Sequence, residues 1–274
     1  MKLSEIYAVL DKVAPKRLSD EYCRLYDAYD NSGVLVDTGA EIEKILFTLD
    51  LTHAALEEAK SIGAGLIVTH HPVIYGGKKC LTQEEPMDKA LMECIQFGIS
   101  VISMHLNVDV AKGGIDESLC EAVIQAAAEA SDNKTTTKRK KVVELMHPLQ
   151  EGGYGRAYAV DECILHELSQ ALQKRLGCQR THVYGTKETV KKVVSCCGAG
   201  ADEEAVAFAQ KVGADVLVSA DFKHHVILAA LERGVSVLAP THYATENYGF
   251  KNYFMKISKA IKIPCVYHED KQLL

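Results

Sequence analysis

The sequence predicts an α/β fold: two duplicated strand-helix units with mixed, largely parallel sheets around a central metal cleft. Three observations predict it. Short β-branched runs alternate with amphipathic stretches, the same order of elements recurs in the second half, and three of the runs end in metal-ligand side chains. Those endings are His70-His71, His105-x3-Asp109 and His242-x3-Glu246. Strands alternating with helices of this length pair largely in parallel through right-handed crossovers, with antiparallel strands at the edges.

In the first half, Lys44 to Asp50 reads as a strand, and Thr52 can cap a helix carrying Ala54, Leu56, Ala59 and Ile62. Gly63 ends that helix before the strand Leu66 to Thr69, because a helix stops readily where glycine takes the left-handed conformation. A further helix ends at Phe97-Gly98, and Val101 to Met104 is the next strand. The second half repeats this order. Lys192 to Cys197 is strand-like, Asp202 caps a helix with Ala205, Val206, Phe208, Ala209 and Val212, and Gly213 stops it. Val216 to Ser219 follows, then a helix ending at Arg233-Gly234, then the strand Val235 to Ala239.

The organisation expected is a first α/β unit over 1–130, a connector and β-α-β excursion over 131–190, and a second α/β unit over 191–274, packed with the first as one domain. The polar, basic stretch from Ser131 to Lys141, with Thr135-Thr136-Thr137-Lys138-Arg139-Lys140-Lys141, reads as a solvated connector. The glycine-rich turn Glu151-Gly152-Gly153-Tyr154-Gly155-Arg156 leads into a strand, and Cys163 to Leu176 has helical periodicity through Ile164, Leu165, Leu168, Leu172 and Leu176. Arg156 reads either as a contact to a neighbour or anionic ligand, or as a surface salt bridge.

A chain of 274 residues, 47% hydrophobic and 25% charged, is long enough to bury a real core. The net charge of −6 argues against a nucleic-acid footprint, which is normally basic. Glu5 and Asp11 interrupt the first residues, so no signal peptide is read there, and no stretch approaches the ~18 apolar residues of a membrane span. A cytoplasmic protein is expected. The nine cysteines are odd in number and irregularly spaced, which suits free thiols in a reducing compartment, and Cys196-Cys197 reads as buried packing.

In open α/β sheets, ligands bind at the carboxyl ends of strands, where all three ligand groups fall. His70 and His71 are consecutive, so both face one site only if the chain turns there, and Pro72 makes a turn plausible. Imidazole suits zinc, iron, nickel, cobalt or copper, and carboxylates can bridge two ions. Two ions ~3.5–4 Å apart lower the pKa of a bound water and polarise the bond under attack, so metal-assisted hydrolysis is the reaction this set suits. Asp109 and Glu246 are the candidate bridging carboxylates, lying at equivalent points of the repeat. His225 can shuttle protons, with Asp221 orienting it; alternatively His224-His225 simply start the next helix.

Thr69-His70-His71-Pro72, His105-Leu106-Asn107-Val108-Asp109 and Thr241-His242-Tyr243-Ala244-Thr245-Glu246, with Asp30-Asn31-Ser32-Gly33 and Gly153-Tyr154-Gly155-Arg156, resemble the NIF-three-like family. Its members are often called GTP cyclohydrolase 1 type 2 homologues. The resemblance implies an α/β fold with a dinuclear metal centre, assembled as a toroidal homohexamer with the metals facing the central cavity. By position it makes His70, His71, Asp109, His242 and Glu246 the metal ligands, with His105 a ligand or close neighbour. Two divalent ions per chain are implied, whether zinc, iron, manganese, nickel or cobalt. His225 matches a histidine that follows Gly-Asp-x-Lys-Tyr in relatives. Here that stretch is Ala220-Asp221-Phe222-Lys223-His224, and Ala239-Pro240-Thr241 stands where relatives often carry glycine. Both departures bear on pocket shape, hence on substrate.

The expected activity is hydrolysis of a nucleotide-like or phosphorylated small molecule, with Glu246, His225 and His105 in catalytic roles. No P-loop and no Rossmann fingerprint occurs in the sequence. The reading from another class is a non-catalytic metal-binding, metal-delivery or regulatory scaffold protein.

Overall fold

The computed structural model describes residues 1–131 and 143–274; the basic run Thr135 to Lys141 lies outside the described residues. In chain order the elements are α1 (Leu3–Val13), α2 (Lys16–Tyr26), β1 (Gly33–Val36), β2 (Ile45–Thr48), α3 (His53–Ile62), β3 (Leu66–Thr69), α4 (Pro86–Gln96), β4 (Ser100–Ser103), α5 (Leu106–Val110) and α6 (Ile115–Ala130). There follow β5 (Glu144–Pro148), β6 (Gly153–Ile164), α7 (Leu165–Leu176), β7 (His182–Tyr184), β8 (Thr189–Ser195), α8 (Glu203–Val212), β9 (Val216–Val218), α9 (His224–Glu232), β10 (Ser236–Ala239), α10 (His242–Ala260) and β11 (Cys265–Tyr267).

Two compact units result. The first comprises Met1–Gly114 and Phe250–Lys271, the second Ile115–Gly249 and Gln272–Leu274. The first holds a sheet of order β1-β4-β3-β2-β11, the second a sheet of order β5-β6-β8-β9-β10-β7.

The duplication is visible in each unit. In the first, β2, β3 and β4 pair in parallel, with α3 and α4 as the crossovers. In the second, β8, β9 and β10 do the same around α8 and α9. The local chemistry repeats as well. Thr52 Oγ1 accepts the Ala55 N–H at 3.2 Å, and Asp202 Oδ1 accepts the Ala205 N–H at 2.8 Å. Such N-caps satisfy donors that a first helical turn leaves over. Gly63 and Gly213 both end their helices at φ 68°.

The cores match too. Leu46, Ile67 and Val101 of the first sheet pack with Leu56, Ala59, Leu91 and Cys94 of its helices. Val194, Leu217 and Val237 pack with Val206, Ala209, Val226 and Ala230 in the second. Burying short β-branched and aliphatic side chains on both faces is what permits parallel strands this short.

Antiparallel strands flank both parallel cores: β1 on β4 in one, β7 on β10 and the β6–β8 pair in the other. Here the structure corrects one element. Periodicity starts the mid-chain helix at Cys163, but Cys163 and Ile164 still pair with Val190 and Thr189 on β8, so α7 begins at Leu165. Ile164 is accordingly half exposed rather than on the buried stripe. Cross-strand hydrogen bonds outweigh the helical pattern at those two positions.

Cys196 and Cys197 are buried, and burial pushes the Cys196 thiol well above its ordinary pKa. No described helix is long and apolar enough to cross a membrane.

Candidate metal centre

At the end of β3 the chain turns. The N–H groups of His70 and His71 both donate to the Leu49 carbonyl, at 3.1 and 3.0 Å. In an extended strand consecutive amides point opposite ways, so two on one acceptor mark a sharp bend. Thr69 Oγ1 fixes it by donating to the His71 carbonyl at 2.8 Å, and Ser103 Oγ on the neighbouring strand lies 2.7 Å from the same hydroxyl. The two imidazoles therefore share one side, with ring centroids 4.8 Å apart.

His105 enters from the end of β4. Its N–H donates to Ser32 Oγ at 3.1 Å, and its ring centroid lies 5.1 Å from that of His70 and 5.8 Å from that of His71. The ligating atoms of His70, His71 and His105 lie within 4.8 Å of one another. Asp109 sits one turn along α5, with Oδ1 3.5 Å from His70 Nε2. His70 and Asp109 are both buried.

Each ring is oriented through the same atom. His70 Nδ1 donates to the Met104 carbonyl at 2.9 Å, His71 Nδ1 to Asp50 Oδ1 at 2.7 Å, and His105 Nδ1 to Asp30 Oδ1 at 2.7 Å. A carbonyl or carboxylate accepts, so a proton rests on Nδ1, and the neutral ring then carries its lone pair on Nε2, the arrangement of metal-ligating histidines. Burial pushes the Asp30 carboxyl up, but hydrogen bonds from His105, Ser19 and Ser32 outweigh it and hold Asp30 well below the usual carboxylate range.

The second unit carries a parallel arrangement. His242 opens α10, and its Nδ1 donates to Asp221 Oδ2 at 2.6 Å. Glu246, one turn on and buried, places Oε2 2.9 Å from His242 Nε2. With Nδ1 donating to Asp221, the neutral His242 ring turns its Nε2 lone pair toward this carboxylate. A cation set between a ring nitrogen lone pair and a carboxylate oxygen is held by both, so the donor set fits a metal ion; His70 and Asp109 show the looser form of the same pairing. Imidazole and carboxylate without thiolate suit a divalent transition metal.

Two sequence readings need correcting. Asp221 holds His242 rather than orienting His225, because its left-handed backbone, at φ 53°, sets the carboxylate beside the first residue of α10. His225 is in the first turn of α9, 61% exposed and 3.5 Å from Glu203. Arg156 forms neither a surface bridge nor an open contact. It is buried against the fully buried Asp116, which also accepts the N–H groups of Gly155 at 3.0 Å and Cys197 at 3.1 Å.

Sequence reasoning missed the orienting roles of Asp50 and Asp30. Asp50 lies just past the end of β2, so the rule that placed His70 would have found it. Asp30 precedes a strand; the Asp30-Asn31-Ser32-Gly33 motif marked the stretch without giving it a role.

Duplicated parallel cores presenting imidazole and carboxylate just past their strand ends define a class of α/β protein able to hold a metal ion. The chain belongs to the Duf34/NIF3 (NGG1p interacting factor 3) family, whose model matches residues 1–271. It is 30% identical over 250 residues to a GTP cyclohydrolase 1 type 2 homolog of Campylobacter jejuni, covering 90% of this chain and 88% of the relative. A protein of the same name from Clostridium perfringens is 29% identical over 249 residues, covering 90% and 87%. Among solved structures, reduced HcgD from Methanocaldococcus jannaschii matches with a TM-score of 0.78 at 25% identity, covering 98% of each chain.

Proposed function

We propose that this chain binds two divalent metal ions through His70, His71, Asp109, His242 and Glu246, and uses them to hydrolyse a nucleotide-like or phosphorylated small molecule. The observation carrying this reading is the His242–Glu246 pair: Nδ1 is committed to Asp221, and Nε2 faces a buried carboxylate at 2.9 Å. The bound ions supply Lewis acidity at neutral pH. His70, His71 and His242 arrive with the correct tautomer already set, which reduces the ordering that binding requires. Glu246 is buried enough to hold or accept a proton with little competition from water, and His105, tied to Asp30, is positioned to hydrogen-bond a substrate atom. His225 remains the candidate for proton exchange with solvent. The relatives' name, GTP cyclohydrolase 1 type 2 homolog, favours a nucleotide as the first substrate to try. The same reading has the chain working in the cytoplasm as a ring of six copies, without membrane or nucleic acid.

The test is elemental analysis of the purified protein, with a nucleotide and phosphoester panel assayed before and after chelation. About two metals per chain with chelator-sensitive turnover, lost in Glu246→Gln, supports the hydrolase. Metal without turnover replaces it with a binding or delivery role, and absence of metal after growth and reconstitution with each candidate ion refutes both.

A further inference from the structure

We infer that Gly198 is a positioning residue: its missing side chain leaves the space that Glu246 needs to serve as a ligand. This rests on the metal reading above. Gly198 follows Cys197 beyond the head of β8, and its backbone is held at several points. Its N–H donates to Thr245 Oγ1 at 3.0 Å, and its carbonyl accepts the Ala220 N–H at 3.2 Å and the Ser219 hydroxyl at 3.3 Å. The preceding amide, of Cys197, is fixed on Asp116. Thr245 is itself anchored, donating its hydroxyl to the His242 carbonyl at 2.7 Å. The loop is thus tied to the very turn of α10 that carries both candidate ligands, and it cannot recoil alone.

A Cβ at Gly198 would lie 3.0 Å from the Glu246 carboxyl carbon and 3.3 Å from His242 Nε2, and would overlap Glu246 Oε1 outright. The carboxylate would have to swing away, leaving its place beside His242 Nε2. Left-handed backbone, at φ 56°, is a separate reason for glycine here. Gly213 separates the two reasons. It has φ 68° and nothing within 4 Å of its would-be Cβ, so alanine there carries the backbone cost alone.

The experiment compares Gly198→Ala with Gly213→Ala in the full chain. Equilibrium dialysis against Zn(II) and Mn(II), read by elemental analysis, should show wild-type binding in Gly213→Ala and at least tenfold weaker binding in Gly198→Ala. Equal binding in the two variants overturns the inference while leaving the metal reading intact. A wild-type chain that takes up neither ion fails the metal reading, and the inference falls with it. A second measurement needs no metal: thermal unfolding in chelator of Gly198→Ala, Glu246→Ala and the double variant. If the Cβ strikes Glu246, the double variant regains stability that Gly198→Ala loses; strictly additive losses overturn the inference, because groups in contact are expected to be non-additive.

Discussion

Asp30 Oδ1 and His105 Nδ1 lie 2.7 Å apart, joining residues 75 positions distant in the chain, and the same carboxylate accepts the hydroxyls of Ser19 and Ser32. Its pKa is depressed in the folded chain. A group of that kind contributes stability that is complete above the unfolded pKa of ~3.9 and is lost as pH falls from there toward the lower folded value. The difference in unfolding midpoint between wild type and Asp30→Asn should therefore shrink as pH falls below about 4. A gap that stays constant to pH 3 would show that the carboxylate's charge is not what stabilises this corner.

Arg156 and Asp116 form a buried pair, so removing either member leaves the other in the core without its counter-charge. Replacing Arg156 with Met should destabilise the chain by about 3–5 kcal/mol, measured by urea unfolding. Asp116→Asn added to it should cost less than it does alone, since the two are coupled. A loss under about 1 kcal/mol for Arg156→Met would place the pair among weak, solvent-screened bridges.

Asp221 sets the tautomer of His242 without being a ligand in the proposed set. Asp221→Asn should weaken zinc binding by about tenfold, the lower end of what loss of such an orienting partner costs, while the circular dichroism spectrum is unchanged. Unchanged affinity would mean that His242 is oriented by α10 alone.

Metal removal should lower thermal stability, because an ion bound only by the folded chain adds about 2.7 kcal/mol at a hundredfold excess over Kd. Titrating the chelated protein with zinc or manganese should raise the melting temperature progressively. A midpoint indifferent to every candidate ion would contradict the ligand assignment.

The duplicated caps give a matched pair. Thr52→Ala and Asp202→Ala should each cost about 1 kcal/mol, as each removes a side-chain acceptor for a first-turn amide. If either substitution is neutral in chemical denaturation, water has replaced that cap.

Much of this was legible in the chain. Thr52 to Gly63 and Asp202 to Gly213 are helices bounded by their own caps, and Leu66 to Thr69 and Val216 to Val218 are strands because short runs rich in β-branched residues lie between turn signals. His70, His105 and His242 were marked by their place just past strands, and the bend between His70 and His71 was required by the alternation of strand side chains. The start of α7 was not legible, since Cys163 and Ile164 suit both a helical stripe and a strand, and only the partner β8 decides between them. Arg156 was equally opaque, because an arginine after a glycine turn looks the same whether it meets water or a buried carboxylate.

The sequence by itself determined the repeated β-α-β units, their caps and the histidines and carboxylates at their strand ends, all set by interactions within a few residues along the chain. Only the tertiary structure decided which carboxylate orients which ring. Asp30 reaches His105 across 75 positions, while Asp50 reaches His71 and Asp221 reaches His242 across 21 each. Asp116 meets Arg156 across 40. Such pairs follow from the order in which strands are laid into a sheet, and a local pattern of residues carries no record of that order.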